Sequence, residues 1–321
     1  MNYKGKLLLI MPFFYNYHNF IRDEMVKNGY EVTCISDEPI FPLYNILQRT
    51  PLNGFIIRKY WNRFLKSNSI SFDKIIVIKG TSLREYDIKK IFKKNSNAST
   101  LYYLWDSVQN TKSYLNISPF FDKVYSFDSE DCKRYEGLVF LPLFFMPSYN
   151  FNEKIGYDVS FIGSVHDDRL RLLLSFKQFF DAYNIKYFFY IYMRRLQKIK
   201  YLMNSYKEYS GLKEFIHTSK LGYSNVMNIF DRSRVVIDIN NSKQTGLTSR
   251  TFESLSKNKK LVTTNKFIKE YGFYSKDILV VDRALNINID RDFFMTQCDS
   301  DFDMSEYTLE NWTINILSGI K

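Results

Sequence analysis

Residues Thr245–Leu255 read TGLTSRTFESL, after a β-branched run, RVVIDI (Arg234–Ile239), and a polar loop, NNSKQ (Asn240–Gln244). A helix starting near Leu247 would present unbonded backbone N–H groups and the positive end of its dipole just past a strand. Thr248 or Thr245 would cap it, and Gly246 lets the backbone come close to a ligand. Ser249 opens the helix, and Arg250 adds a charge-assisted bond to a phosphate oxygen. This is the chemistry of an anion site. Glu253, one turn on, accepts hydrogen bonds only and suits a pair of ribose hydroxyls. Pyrophosphate at the tip with ribose beside it describes a nucleoside diphosphate. The same residues also have a purely structural use. Arg250 and Glu253 can form an i,i+3 ion pair worth about 0.2–0.5 kcal/mol, with Leu247, Phe252 and Leu255 facing a core.

A second tip has the same build. VSFIGSVHDDR (Val159–Arg169) is a strand ending in Gly163-Ser164 before a helix, where a glycine lets a ligand lie over the sheet or simply makes a tight turn. Transfer chemistry also needs a base. Asp106 closes the strand TLYYLWD and comes first, and His18, in the loop MPFFYNYHNF, comes second. Asp128 in YSFDSED reads as an N-cap. Arg194 and Arg195 read as the solvated start of a basic helix. The aspartates of DRD (Asp290–Asp292) and DSDFD (Asp299–Asp303) read as a solvated acidic loop rather than a metal-binding Asp-x-Asp.

Strand–loop–helix units must position these residues. Strands are expected at Lys6–Met11, Glu31–Ile35, Lys74–Ile78, Thr100–Trp105, Lys123–Phe127 and Val139–Leu141. A second series follows at Asp158–Ile162, Lys186–Tyr192, Glu214–His217, Val235–Ile239, Lys260–Thr263 and Ile278–Val281. Helices are expected at His18–Asn28, Leu83–Lys94, Glu130–Tyr135, Asp168–Tyr183, Ser224–Arg232 and Leu247–Lys257. Continuous apolar strands alternating with helices predict parallel sheets covered on both faces. The expected organisation is two doubly wound α/β domains, 1–150 and 151–304, with a linker break near Pro147–Asn152. A last helical segment, 305–321, would pack back on the first domain. Ligands in such sheets sit beyond the carboxyl ends of the strands.

The 321 residues carry a formal charge of +11, which favours nucleotides, nucleic acid or an anionic membrane face as partners. Three cysteines and three histidines, all dispersed, exclude a disulfide framework and a structural zinc site, and they suit a reducing cytoplasm. The amino-terminal apolar run of about seven residues is too short to span a bilayer and lacks a cleavage site. The expectation is a cytoplasmic protein, at most peripheral on the inner membrane.

With these motifs in place, the run EFIHTSKLGYSNVMNIFDRSRVVIDI followed by TGLTSRTFESL resembles the donor domain of GT-B glycosyltransferases. The likeness is strongest to bacterial surface-polysaccharide (capsule or lipopolysaccharide) transferases and the spore-maturation-protein-like group. LYYLWDS, KVYSFDSEDCKRY and LVFLPLFF resemble their amino-terminal domains. The resemblance implies two Rossmann-like domains facing across a cleft, and transfer of a sugar from a nucleotide diphosphate sugar to a polysaccharide or lipid-linked oligosaccharide. Gly163 and Ser164 would contact the diphosphate, Gly246, Leu247, Thr248, Ser249 and Arg250 would hold phosphate, and Glu253 the ribose. The His217–Gly222 loop, Lys220 included, would frame the base. No metal and no cofactor are implied. Retaining members often carry a second glutamate eight positions before the first, where this chain has Thr245, so inversion is favoured. The alternatives are a nucleotide-sugar epimerase of similar build and a non-enzymatic nucleic-acid-binding protein, for which no known motif is present.

Overall fold

A computed structural model describes residues 3–320 apart from 42, 49, 68–69, 112–113, 147–153, 167, 205–206 and 285–288. The expected linker at 147–152 lies outside the described residues. The chain forms two compact units, Met1–Leu143 with Leu309–Lys321, and Phe144–Thr308.

The first unit is built on β1 (Gly5–Ile10), β2 (Tyr30–Ile35), β3 (Lys74–Ile78), β4 (Ser99–Leu104), β5 (Lys123–Ser126) and β6 (Leu138–Phe140). All pairings are parallel, in the order β2-β1-β3-β4-β5-β6. Leu7–Ile10 and Ile75–Ile78 are sealed from solvent, which is why both strands read as unbroken apolar runs. The Leu309–Ser318 helix belongs to this unit: Trp312 packs edge-on against Tyr103 at 5.0 Å, and buried Lys74 donates from Nζ to the Ile320 carbonyl at 2.7 Å.

The second unit repeats the scheme with β7 (Tyr157–Ser164), β8 (Tyr187–Tyr192), β9 (Ile216–His217), β10 (Ser233–Asp238), β11 (Lys260–Thr263) and β12 (Ile278–Val280), ordered β12-β11-β10-β7-β8-β9. Helices cover both faces of its sheet. One core centres on Phe176, Phe180, Phe189 and Phe294, the other on Val226, Met227 and Phe230.

The order of strands locates the chemistry. In the first unit the chain leaves β1 towards β2, then returns to β1's other side as β3. In the second it runs β7, β8, β9, then returns beside β7 as β10. The crevice at such a reversal lies at the carboxyl ends of the two strands flanking it, here β1/β3 and β7/β10.

Three expectations are corrected. A 15-residue helix, Asn53–Ser67, occupies a stretch for which no element was expected. The Leu247–Lys257 helix runs only from Ser249 to Leu255, because Thr248 is extended (φ −79°, ψ 160°) and Asn258 turns the chain in the left-handed region (φ 51°). The strand expected from Glu214 begins at Ile216, after a 3₁₀ turn over Ser210–Phe215. No helix among the described residues is long and apolar enough to cross a membrane.

Candidate functional site

In the second unit, β10 delivers Asp238 to the reversal point. Its buried carboxylate accepts from the Thr248 and Thr251 hydroxyls at 2.7 Å each, both on Oδ2. Thr248 Oγ1 also accepts from the Arg250 N–H at 3.1 Å, so one hydroxyl caps the Ser249–Leu255 helix and ties it to the strand end. The chain thus spends this side chain on positioning the tip. Gly246 and Leu247 are buried, and the Gly246 carbonyl accepts from Asn265 Nδ2 at 3.1 Å. Leu247 can therefore offer a ligand only its backbone. Arg250 is ion-paired with Glu253, whose side chain is 1% exposed against 26% for Arg250. The guanidinium also lies 5.6 Å from the Phe230 ring centroid. Burial of the carboxylate takes this pair out of the class of solvated surface pairs.

Gly163 is the penultimate residue of β7, where a Cβ would meet the Phe161 ring at 2.7 Å, so the chain's own packing already demands a glycine there. Arg169, which sequence reasoning missed, donates to the Ser164 and Ile239 carbonyls and clasps the carboxyl ends of β7 and β10. Arg283, also missed, pairs with Asp168 and donates to the Asn240 carbonyl at 2.6 Å and to Thr264 Oγ1 at 3.2 Å. Beside these groups, at the ends of β10, β11 and β12, opens a cleft of about 520 Å³ lined by Asn240, Gln244, Thr245, Thr264, Lys266 and Arg283 among others. Thr245 is the sole member of the TGLTSR run on its wall. Lys220 is exposed, 5.6 Å from the Tyr192 ring centroid, and its loop is tied to β8 by Tyr190 Oη donating to the Ser219 carbonyl at 2.9 Å. The signals for Asp238 and Arg169 were a strand closing on a carboxylate and an arginine five residues past Ser164.

The acidic runs are engaged internally: Asp290 caps the Arg291–Met295 helix, and Asp299 pairs with Lys276 at 2.9 Å. Asp128 caps Ser129–Arg134. Arg194 directly precedes the Arg195–Asn204 helix.

In the first unit, the ends of β1, β3 and β4 bring aromatic and charged groups together. Lys79 and Gly80 follow β3 with φ of +66° and +55°. A lysine held left-handed is strained, and the bend brings its Nζ within 2.7 Å of Asp106 Oδ2 and 5.9 Å of the Phe14 ring centroid. Trp105 packs edge-on against Phe14 and Tyr17 at 5.5 and 5.2 Å. His18 begins the Tyr17–Lys27 helix, stacked on Phe13 at 4.0 Å. Burial, then the charge of Arg22, pushes its pKa below the ordinary 6.5. Its Nδ1 is sealed and has no hydrogen-bond partner among the described residues. For Nε2 to act as base the proton must rest on Nδ1, where an unsatisfied buried donor costs about 1–3 kcal/mol. This cost favours Asp106 over His18 as a base.

Asp37, one residue past Ser36 at the end of β2, is 1% exposed, with both carboxyl oxygens buried and without a hydrogen bond of good geometry. Burial, then the charge of Glu38, pushes its pKa up to about 7, against the Ser82 N–H and the charge of Lys79. The folded state therefore holds this proton more tightly than the unfolded chain. Stability is full below the ordinary carboxylate value of 3.8 and declines as pH rises from there to about 7. The loss is on the order of 4 kcal/mol at about 1.4 kcal/mol per pH unit. Asp37→Asn should match the parent chain at pH 4 and exceed its stability at pH 8 by a few kcal/mol. Urea melts at both pH values check this, and equal differences at the two would refute it.

No protein-family model matches the chain, and no curated protein matches it in sequence. Solved structures do match its fold. Anabaena HepE, solved in complex with UDP and glucose, aligns with a TM-score of 0.58 at 11% identity over 98% of this chain and 99% of its own. A Rickettsia africae glycosyltransferase aligns at 0.54 and 14% identity, covering 98% and 94%. A Listeria monocytogenes protein assigned as a UDP-N-acetylglucosamine 2-epimerase aligns at 0.52 and 10% identity, covering 98% and 95%. At such identities the likeness carries the fold alone. The chain has the fold of the GT-B glycosyltransferases, with two Rossmann-like α/β units each built on a six-stranded parallel sheet.

Proposed function

We propose that the protein transfers a sugar, with inversion and without a metal, from a nucleotide diphosphate sugar to a polysaccharide or lipid-linked oligosaccharide of the bacterial surface. The observation that carries the reading is the capped Ser249–Leu255 helix at the β7/β10 reversal, with Arg250 held by a buried glutamate. In this reading Arg250 and the backbone of Gly246–Ser249 stabilise the diphosphate as negative charge develops on it. Gly163 and Ser164 approach the same group, Glu253 takes the ribose, and the loop of Lys220 borders the base. Asp106 removes the acceptor proton, held in orientation by Lys79. The acceptor's setting would be the anionic inner leaflet.

A thermal-shift panel of UDP, GDP, dTDP and CMP tests the donor class. One diphosphate is expected to raise the melting temperature by several degrees. A ligand at a hundred times its Kd stabilises by about 2.7 kcal/mol, and a unit of this size gains about 2–4 °C per kcal/mol. No response to any nucleotide refutes the reading. The likeness to the Listeria protein supports one rival, an epimerase. Conversion of a UDP-N-acetylhexosamine to its 2-epimer, followed by proton NMR, would decide for it.

A further inference from the structure

From Pro39 to Phe72 the chain carries no acidic residue, yet Arg58, Lys59, Arg63 and Lys66 fall within that stretch. Its principal element is the Asn53–Ser67 helix of the first unit. This helix buries Ile57, Trp61 and Leu65, spaced four apart, so its opposite face is turned outward. That face presents the four cations, all exposed. Together with Lys90 of the Glu85–Lys94 helix they line a groove of about 880 Å³. None of the five forms an ion pair with a described residue; the nearest pair in sequence is Lys89 with Glu85. Lys90 donates instead to Asn62 Oδ1, and the Arg58 guanidinium lies 4.7 Å from the Tyr86 ring centroid. The buried Asp87 carboxyl feels Arg58 and Lys90 from beneath.

The same acid-free stretch exposes large apolar side chains, two at the amino end of this helix and two in the segment before it. Leu52 and Phe55 are 59% and 67% exposed, Ile40 and Leu43 69% and 63%. Tyr44 Oη donates to Asn53 Oδ1 at 3.0 Å and joins the two segments. A single exposed leucine means little. Four such side chains in one acid-free stretch, which also carries four exposed cations outside any ion pair with a described residue, have the composition of an interfacial segment.

We infer that this face docks on an anionic lipid bilayer. Ile40, Leu43, Leu52 and Phe55 enter the boundary between headgroups and acyl chains, while Arg58, Lys59, Arg63 and Lys66 meet lipid phosphates. Charge complementarity and the aliphatic side chains together select this partner. A nucleic acid would satisfy the cations but stacks on aromatic rings and gains nothing from Ile40, Leu43 or Leu52. An apolar protein surface would leave the cations unmatched. The inference deepens the inner-leaflet setting of the transferase reading, but docking is read without nucleotide or sugar, so its failure leaves the donor site untouched.

The test is flotation of the full chain with phosphatidylglycerol-containing vesicles, against pure phosphatidylcholine and at low and high salt. The chain is expected to float with the anionic vesicles only and to be released by salt. R58E/R63E/K66E should lower the partition roughly a hundred-fold. L52S/F55S should lower it as well while leaving the salt dependence in place. Melting curves of both variants check that the exposed changes leave the fold intact. Binding that survives both variants overturns the inference. So does RNA displacing the vesicles together with an unaffected L52S/F55S, which would make the groove a polyanion site.

Discussion

Arg250→Ala is expected to lower the melting temperature of the free protein by several degrees and to abolish its response to the nucleoside diphosphate that stabilises the parent chain. The two effects have separate causes. Glu253 is all but sealed from solvent and its carboxylate pairs with Arg250. Removing one partner of a buried pair costs about 3–5 kcal/mol. Arg250 is itself 26% exposed, so water can enter beside the carboxylate and the cost should fall to roughly 1–3 kcal/mol. The second effect is loss of a charge-assisted bond to phosphate, worth about 1.5–3 kcal/mol, or roughly ten- to hundred-fold in Kd. The double variant R250A/E253Q separates them. It removes the stranded charge and should regain much of the free protein's stability, yet it should stay blind to the nucleotide. A double variant that regains the nucleotide response would reduce both residues to a structural ion pair and would take the phosphate site with it.

How much of this was legible in the sequence depended on whether the signal was local. Lys74–Ile78 and Lys260–Thr263 were read to the residue, because central parallel strands are apolar on both faces and so end sharply. The Asn53–Ser67 helix was missed although Ile57, Trp61 and Leu65 keep helical spacing. Phe55, Ile56 and Phe64 fall off the stripe and blur its period, and the absence of acids removes the usual polar contrast. The true start of the Ser249–Leu255 helix was hidden because Thr245 and Thr248 are both capping residues, and only the position of Asp238 chooses between them. At the site, local features were visible: the capped tip, the strand-ending Asp106, the glycine at 163. Pairings across the fold were not. Arg169 meets the Ile239 carbonyl across 70 positions, and Arg283 meets Asp168 across 115. Lys79 gave no sign that it would adopt a left-handed backbone and neutralise Asp106. Such partners exist only once the strand order is known, since parallel neighbours in these sheets are far apart in the chain.

Asp106→Asn should lower turnover by about 10²–10⁴, the usual contribution of a positioned base, with nucleotide binding unchanged. Release of nucleoside diphosphate from the donor identified by the panel measures turnover, and thermal shift measures binding. The ranking among neighbours is as informative as the size of the loss. Lys79→Met removes the ammonium that orients Asp106 at 2.7 Å and should cost less than Asp106→Asn, because the carboxylate remains. His18→Ala should cost less than ten-fold, since the proton that would free Nε2 for base chemistry has no acceptor at Nδ1. The pH profile gives a second, independent view. A histidine base with a pKa below 6.5 would be mostly neutral at pH 8, and its rate would fall as pH dropped through its lowered pKa. With Asp106 as the base, the parent chain and His18→Ala should share one profile through that window. A rate that falls through that range and becomes level in His18→Ala, with Asp106→Asn near parental turnover, would transfer the role to the histidine. The Lys79–Asp106 pair would then be part of the scaffold at the end of the sheet.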